Sequence, residues 1–139
     1  MSDLINQINN LPYELIYIIK EYIPVICLVF VNKTNYVLYH SLIKNYIPKY
    51  ENYIRDIIRR DYSFVFETIL KESIYKWFEI TNYIYKNMVF KNYSYFVIYY
   101  CIENDSSRCR NLINFFLKEL GLGKNQHKKN IVKYIKWKN

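Results

Sequence analysis

The sequence predicts an all-α fold, a single compact domain of six to eight short helices, and three observations carry that prediction. Apolar residues recur along most of the chain at offsets of three, four, seven and eight, the spacing of one helical face. No evenly spaced run of strands and no strand-helix alternation interrupts this pattern. Segment ends are punctuated by Pro12, Pro24, Pro48 and Gly121. A chain of 139 residues, 52% hydrophobic, is one domain in length and can bury a substantial core.

The elements follow in order. Leu11, Leu15, Ile18, Ile19 and Tyr22 share a helical face while Glu14, Lys20 and Glu21 point elsewhere. Pro12 suits the first turn, where its missing N–H costs nothing, and Pro24 cannot continue the helix. "VICLVFV" (25–31) fits a short strand or two buried helical turns, and the surrounding pattern favours helix. Asn32 or Thr34 then caps a third helix reaching about Tyr46, with Val37, Leu38, Leu42 and Ile43 turned inward. From Tyr50 the face is Ile54, Ile57 and Ile58, with Glu51–Arg55 and Asp56–Arg60 spaced for i to i+4 pairing. Two further helices are expected over Ser63–Lys71 and Ile74–Ile80.

Residues 81–104 are rich in Tyr, Phe, Val and Ile, which favour strands, yet Tyr93, Phe96, Val97, Tyr100 and Cys101 keep the helical spacing. Helix is the prediction there. Asp105 is expected to cap the next helix, whose inner face would be Cys109, Leu112, Ile113, Phe116 and Leu120, with Gly121 as its left-handed terminus. A last helix is expected from about Gln126 to Trp137. Residues 8–46 and 50–139 form two parts of one continuous compact domain in this reading.

Composition tempers arguments from counts. Ile, Lys, Asn, Tyr and Phe make up 77 of the 139 residues and alanine is absent, the mark of an A+T-rich gene. The net charge of +8 is concentrated, because residues 124–139 hold six lysines and no acid, leaving +2 for residues 1–123. Lys129, Lys133 and Lys136 would form a stripe on the expected last helix, opposite Ile131, Tyr134 and Ile135, along which a nucleic-acid backbone could lie.

Chemical motifs are scarce. "GLGK" (121–124) lacks the spacing and the following Ser or Thr of a phosphate loop and reads as a helix end. His40 and His127 stand in no nucleophile context, and Cys101 and Cys109 are spaced too widely for a zinc pair. The buried small-apolar role suits these cysteines better. Asp56 and Asp61 sit at an Arg-rich helix end, where ion pairing accounts for them. We expect no catalytic residue, no metal, no cofactor and no small-molecule ligand. Three cysteines and an N-terminus without signal-peptide layout point to a reduced intracellular compartment. The longest apolar runs, 22–31 and 93–102, fall short of the roughly 20 residues of a membrane span.

The opening stretch resembles the F-box, a helical motif of about forty residues, at Leu11, Pro12, Glu14, Leu15, Ile19, Tyr22 and Ile23, then Leu28, Val31 and Lys33. It departs from the motif in a shorter link between Pro24 and Val31 and in having Asn35 and Tyr36 where a Trp is usual. The resemblance implies docking on a Skp-family adaptor of a cullin-RING ubiquitin ligase, with Leu11, Pro12, Leu15, Ile19 and Ile23 as contact residues. The rest, including "YIRDIIRRDYSFVFETILKE" and "CRNLINFFLKELGLGKNQHKKN", resembles short Asn-, Ile- and Tyr-rich proteins of giant viruses of the mimivirus type. That second resemblance implies host cytoplasm or a viral factory as the setting.

Overall fold

In the computed structural model, residues 2–122 and 131–134 are described, with side chains from 6 to 122. The chain divides into two compact units, one ending at Pro48 and the other starting at Lys49, where the sequence predicts one continuous domain.

The first unit is wholly helical in its described residues. A helix not anticipated from the sequence, α1 (Ser2–Asn9), precedes α2 (Tyr13–Tyr22), α3 (Val25–Leu28), α4 (Lys33–Tyr39), a 3-10 turn (His40–Leu42) and α5 (Ile43–Tyr46). Pro12 occupies the cap position and its carbonyl accepts from Leu15 N and Ile16 N, which starts α2. Asn32 is the cap of α4, its Oδ1 accepting from Asn35 N at 2.8 Å. The expected third helix is broken by the 3-10 turn, where His40 Nδ1 lies 3.0 Å from the carbonyls of both Tyr36 and Val37. The inward face is also corrected. Ile43 is buried as expected, but Val37 and Leu38 are exposed and Tyr36 is buried in their place.

The second unit opens with α6 (Tyr50–Arg59) and α7 (Ser63–Glu79). Ile54, Ile57 and Ile58 are buried as the period predicts. The two helices expected over 63–80 are one, because Ser73, where the break was expected, is buried in mid-helix between Leu70 and Ile74.

The largest correction falls on 81–104. Thr81–Tyr85 (β1) and Met88–Asn92 (β2) form an antiparallel hairpin about the turn at Lys86 and Asn87, and helix begins only at α8 (Tyr93–Glu103). The alternation within β1 explains it, since Tyr83 and Tyr85 are half-buried while Asn82 and Ile84 are exposed, a period of two. Asn92 ends the hairpin and caps α8, accepting from Tyr95 N. Residues 131–134 are also corrected: Ile131–Tyr134 is a strand, β3, paired antiparallel with β2, giving the order β1-β2-β3. Its β-branched Ile131 and Val132 suit a strand, and the exposed edge of a hairpin offers a partner for their backbone. The chain is therefore predominantly helical with one small antiparallel sheet.

Helices α6, α8 and α9 (Ser107–Glu119) end alike. In each, two backbone N–H groups close back on the last turn: Asp61 N on Ile58 O and Tyr62 N on Ile57 O, Asp105 N on Ile102 O and Ser106 N on Cys101 O, Gly121 N on Lys118 O and Leu122 N on Leu117 O. These are Schellman closures, which require a left-handed residue at the pivot. Gly121 supplies it at φ 78°, as expected from the sequence, but Asp61 and Asp105 supply it at φ 52° with a side chain attached. Asp105 is thus the terminator of α8, and the N-cap position of α9 belongs to Ser106. Asp105→Gly is expected to raise stability by about 0.5–1 kcal/mol, whereas Asp105→Val should lower it by more than about 1 kcal/mol, both read from urea midpoints.

The core of this unit joins α6, α7, the hairpin, α8 and α9 around Phe66, Trp77, Phe90, Tyr93, Phe96 and Ile113. Helix α8 is its axis, with Phe96 and Val97 fully enclosed.

Candidate docking surface

The first unit has an unusual balance of inside and outside. Among its described side chains Val29, Tyr36 and Ile43 are buried, while twelve large apolar ones between Leu11 and Tyr46 are exposed. An amphipathic helix normally buries its apolar stripe. Helix α2 has no buried residue.

The predicted contact residues divide between two sides of α2. Leu11 and Pro12, in the link before the helix, are exposed, as is Leu15. Ile19 and Ile23 are half-buried, on the side that also carries Ile16. The structure thus brings Leu11, Pro12 and Leu15 to the surface and draws Ile19 and Ile23 partly inward. Ile18 and Tyr22, which share the predicted apolar face with Leu15 and Ile19, are exposed, at 48% and 84%. Tyr13 and Tyr17 are exposed as well. The apolar arc of α2 is wide, and periodicity identifies the arc without telling which part of it faces inward.

The lysine stripe lacks its helical basis. Lys133 lies in β3 opposite Val89, so the helical spacing that would align it with Lys129 and Lys136 does not hold at its centre. Lys129, Lys136 and His127 lie outside the described residues.

The second unit concentrates its polar interactions at the junction of α6, α8 and α9. Asp61 accepts from Cys109 N at 2.9 Å, Arg108 N at 3.2 Å and Arg108 Nε at 3.3 Å, so this carboxylate caps α9 from a position 47 residues upstream of Arg108. Burial pulls the Asp61 carboxyl upward, but the bonds from Cys109 and Arg108 outweigh it and hold the group below its ordinary value. Asp56 pairs with Arg60 at 3.0 Å and with Arg59 at 3.4 Å, and Arg59 also donates to Tyr100 Oη. The ion-pair reading of Asp56 and Asp61 therefore holds.

Cys101 and Cys109 are buried and Cys27 is exposed, all with free thiols. Burial, reinforced by Asp61, pushes Cys101 up to about 12. Burial also raises Cys109, whose thiol bonds to Asp61. Thiols so shifted stay protonated at neutral pH, which lowers their nucleophilicity. Among the described residues no cluster of three or more His, Cys, Asp or Glu is arranged to hold a metal ion. A shallow cleft of about 310 Å³ runs along Cys101, Ile102, Asp105, Ser106, Ser107 and Arg110, and a smaller one of about 190 Å³ along Tyr85, Lys86, Tyr99, Tyr100, Glu103 and Asn104. Neither contains a base beside an activated nucleophile.

No helix among the described residues is long and apolar enough to cross a membrane. No family model, curated protein or solved structure matches the chain.

Proposed function

We propose that this chain is a non-catalytic protein-docking module, in which the helical unit ending at Pro48 binds a protein partner and the unit from Lys49 is a scaffold or a second recognition surface. The observation that carries this reading is α2, a helix with an apolar arc and no buried residue. A free apolar surface of this kind on so small a unit marks an interaction site. Leu11, Pro12 and Leu15 are accessible at its leading edge, where the F-box resemblance places its contacts. On that resemblance the partner is a Skp-family adaptor, and the setting is a host cell infected by a giant virus. Redirection of host ubiquitination would be the use of such a contact.

The test is capture of a purified Skp-family adaptor by the full chain and by a Leu11→Ala, Pro12→Ala variant. Wild type is expected to retain the adaptor, and the variant to retain at least about tenfold less, as loss of a central apolar contact does elsewhere. Equal recovery from both, or none from either, removes the adaptor from the proposal.

A further inference from the structure

Helix α2 presents two kinds of side chain next to each other on its free side, and together they select a partner. Leu15, Ile18 and Tyr22 follow one another at intervals of three and four, the seam spacing of a two-helix coiled coil, and are exposed at 46%, 48% and 84%. At about 100° per residue they occupy a strip of roughly 60°. Glu14 and Glu21, seven residues apart and both exposed, line one edge of that strip. Ile16, Ile19 and Ile23, all half-buried, lie along the other edge. The free strip is therefore apolar in the middle and acidic on its open flank.

We infer that this strip receives an amphipathic helix of another protein, one whose apolar seam is flanked by lysine or arginine. Charge decides between that occupant and a second copy of the chain. In an antiparallel pair of two copies, Glu14 of each would face Glu21 of the other, a like-charge contact. In a parallel pair both carboxylates would face isoleucines and leave their charge uncompensated. A basic flank satisfies both glutamates at once, and such flanking charges set partner choice in helix pairs. Leu11, just ahead of the helix, is exposed as well. The inference rests on the docking reading above, and it shifts the contact set from Ile19 and Ile23 to Ile18 and Tyr22, with Glu14 and Glu21 as selectivity residues.

The test uses two synthetic amphipathic peptides with isoleucine and leucine along the seam, one with lysine on both flanks and one with glutamate. Each is titrated by fluorescence anisotropy against the full chain at low salt and again at high salt. The chain's net charge of +8, most of it in residues 124–139, favours the acidic peptide overall. A preference for the lysine peptide that is lost on charge reversal at Glu14 and Glu21 therefore reports this face. We expect the lysine peptide to bind at least about tenfold tighter, with the advantage shrinking at high salt. Glu14→Lys with Glu21→Lys should reverse the order. Ile18→Asp, at an exposed site, should abolish binding of the lysine peptide without changing the far-ultraviolet circular dichroism. Equal binding of the two peptides, binding of neither, a preference for the acidic one, or a preference that survives the charge reversal overturns the inference. Sedimentation showing a dimer of the chain that Ile18→Asp dissolves would overturn it in favour of a second copy. Adaptor capture without peptide discrimination would defeat this inference alone, and peptide discrimination without adaptor capture would defeat the adaptor alone.

Discussion

Replacing Phe96 with alanine is expected to cost about 4 kcal/mol, a large part of the roughly 5–15 kcal/mol that holds a domain of this kind together. Phe96 is fully buried. Its ring centroid stands 4.7 Å from Tyr83, 4.8 Å from Tyr85, 5.4 Å from Tyr93, 5.6 Å from Tyr100 and 5.7 Å from Phe90. Those five rings come from the hairpin and from α8 itself, so one side chain ties sheet to helix. Truncation removes the transfer energy of the ring and leaves a void bordered by other rings, which relax poorly because each is held by its own neighbours. Tyr93 illustrates this, wedged edge-on against both Trp77 and Tyr83. Phe96→Leu keeps most of the volume and should cost nearer about 1–1.5 kcal/mol. Urea unfolding followed by circular dichroism reads both variants. An alanine variant within about 1 kcal/mol of wild type would mean that these rings do not pack as described.

The second large effect is expected at Asp61. Its alanine variant loses the acceptor of two α9 amides and the Arg108 contact, and places a residue with no αL preference at φ 52°. A lost cap, lost charge-assisted bonds and backbone strain together should cost about 2 kcal/mol. Asp61→Asn keeps one acceptor and tolerates the left-handed backbone, so it should recover about half of that. The deficit depends on pH in a defined direction. Because the folded carboxyl titrates below its unfolded value of about 3.9, it contributes fully above that pH and loses its contribution as pH falls through the lower folded value. The difference between wild type and Asp61→Ala should therefore be constant at neutral pH and shrink below about pH 4. A difference that persists undiminished into acid would assign the effect to the backbone alone.

How much of this could be read from the residues differs by segment, and the differences have physical causes. Helix period located the inner face of α6 and the centre of the much wider one of α8, which encloses every residue from Tyr93 to Ile98. Ile54, Ile57 and Ile58 on α6, and Phe96, Val97, Tyr100 and Cys101 on α8, are all buried at the predicted phase. Gly121 terminates α9 as its missing side chain allows. The hairpin was missed because Tyr, Phe, Val and Ile serve strand and helix alike. Its turn offers no Asn-Gly or Asp-Gly signal, only Lys86 with a positive φ before Asn87. The strand at Ile131–Tyr134 depends on β2 being present to pair with, a condition that no local pattern encodes.

On α2 the period located the apolar face and not its exposure. Of the residues it placed there, Leu11, Leu15, Ile18 and Tyr22 are exposed and Ile19 is half-buried. Seven apolar residues span more than half the circumference of α2, so amphipathicity alone could not orient it. The Asp61 cap was invisible for a different reason, since a carboxylate bonding amides 47 residues downstream leaves no trace in local spacing.

That long reach has a bearing on how the chain matures during synthesis. Translation proceeds at about 5–20 residues per second, so α6 emerges roughly 2 to 9 s before the amides that Asp61 will bind have been made. Throughout that interval the carboxylate remains hydrated and α7, then α8 once it is made, lack the helix that packs against them, so a nascent chain halted before Ser107 presents greasy surface to chaperones and proteases.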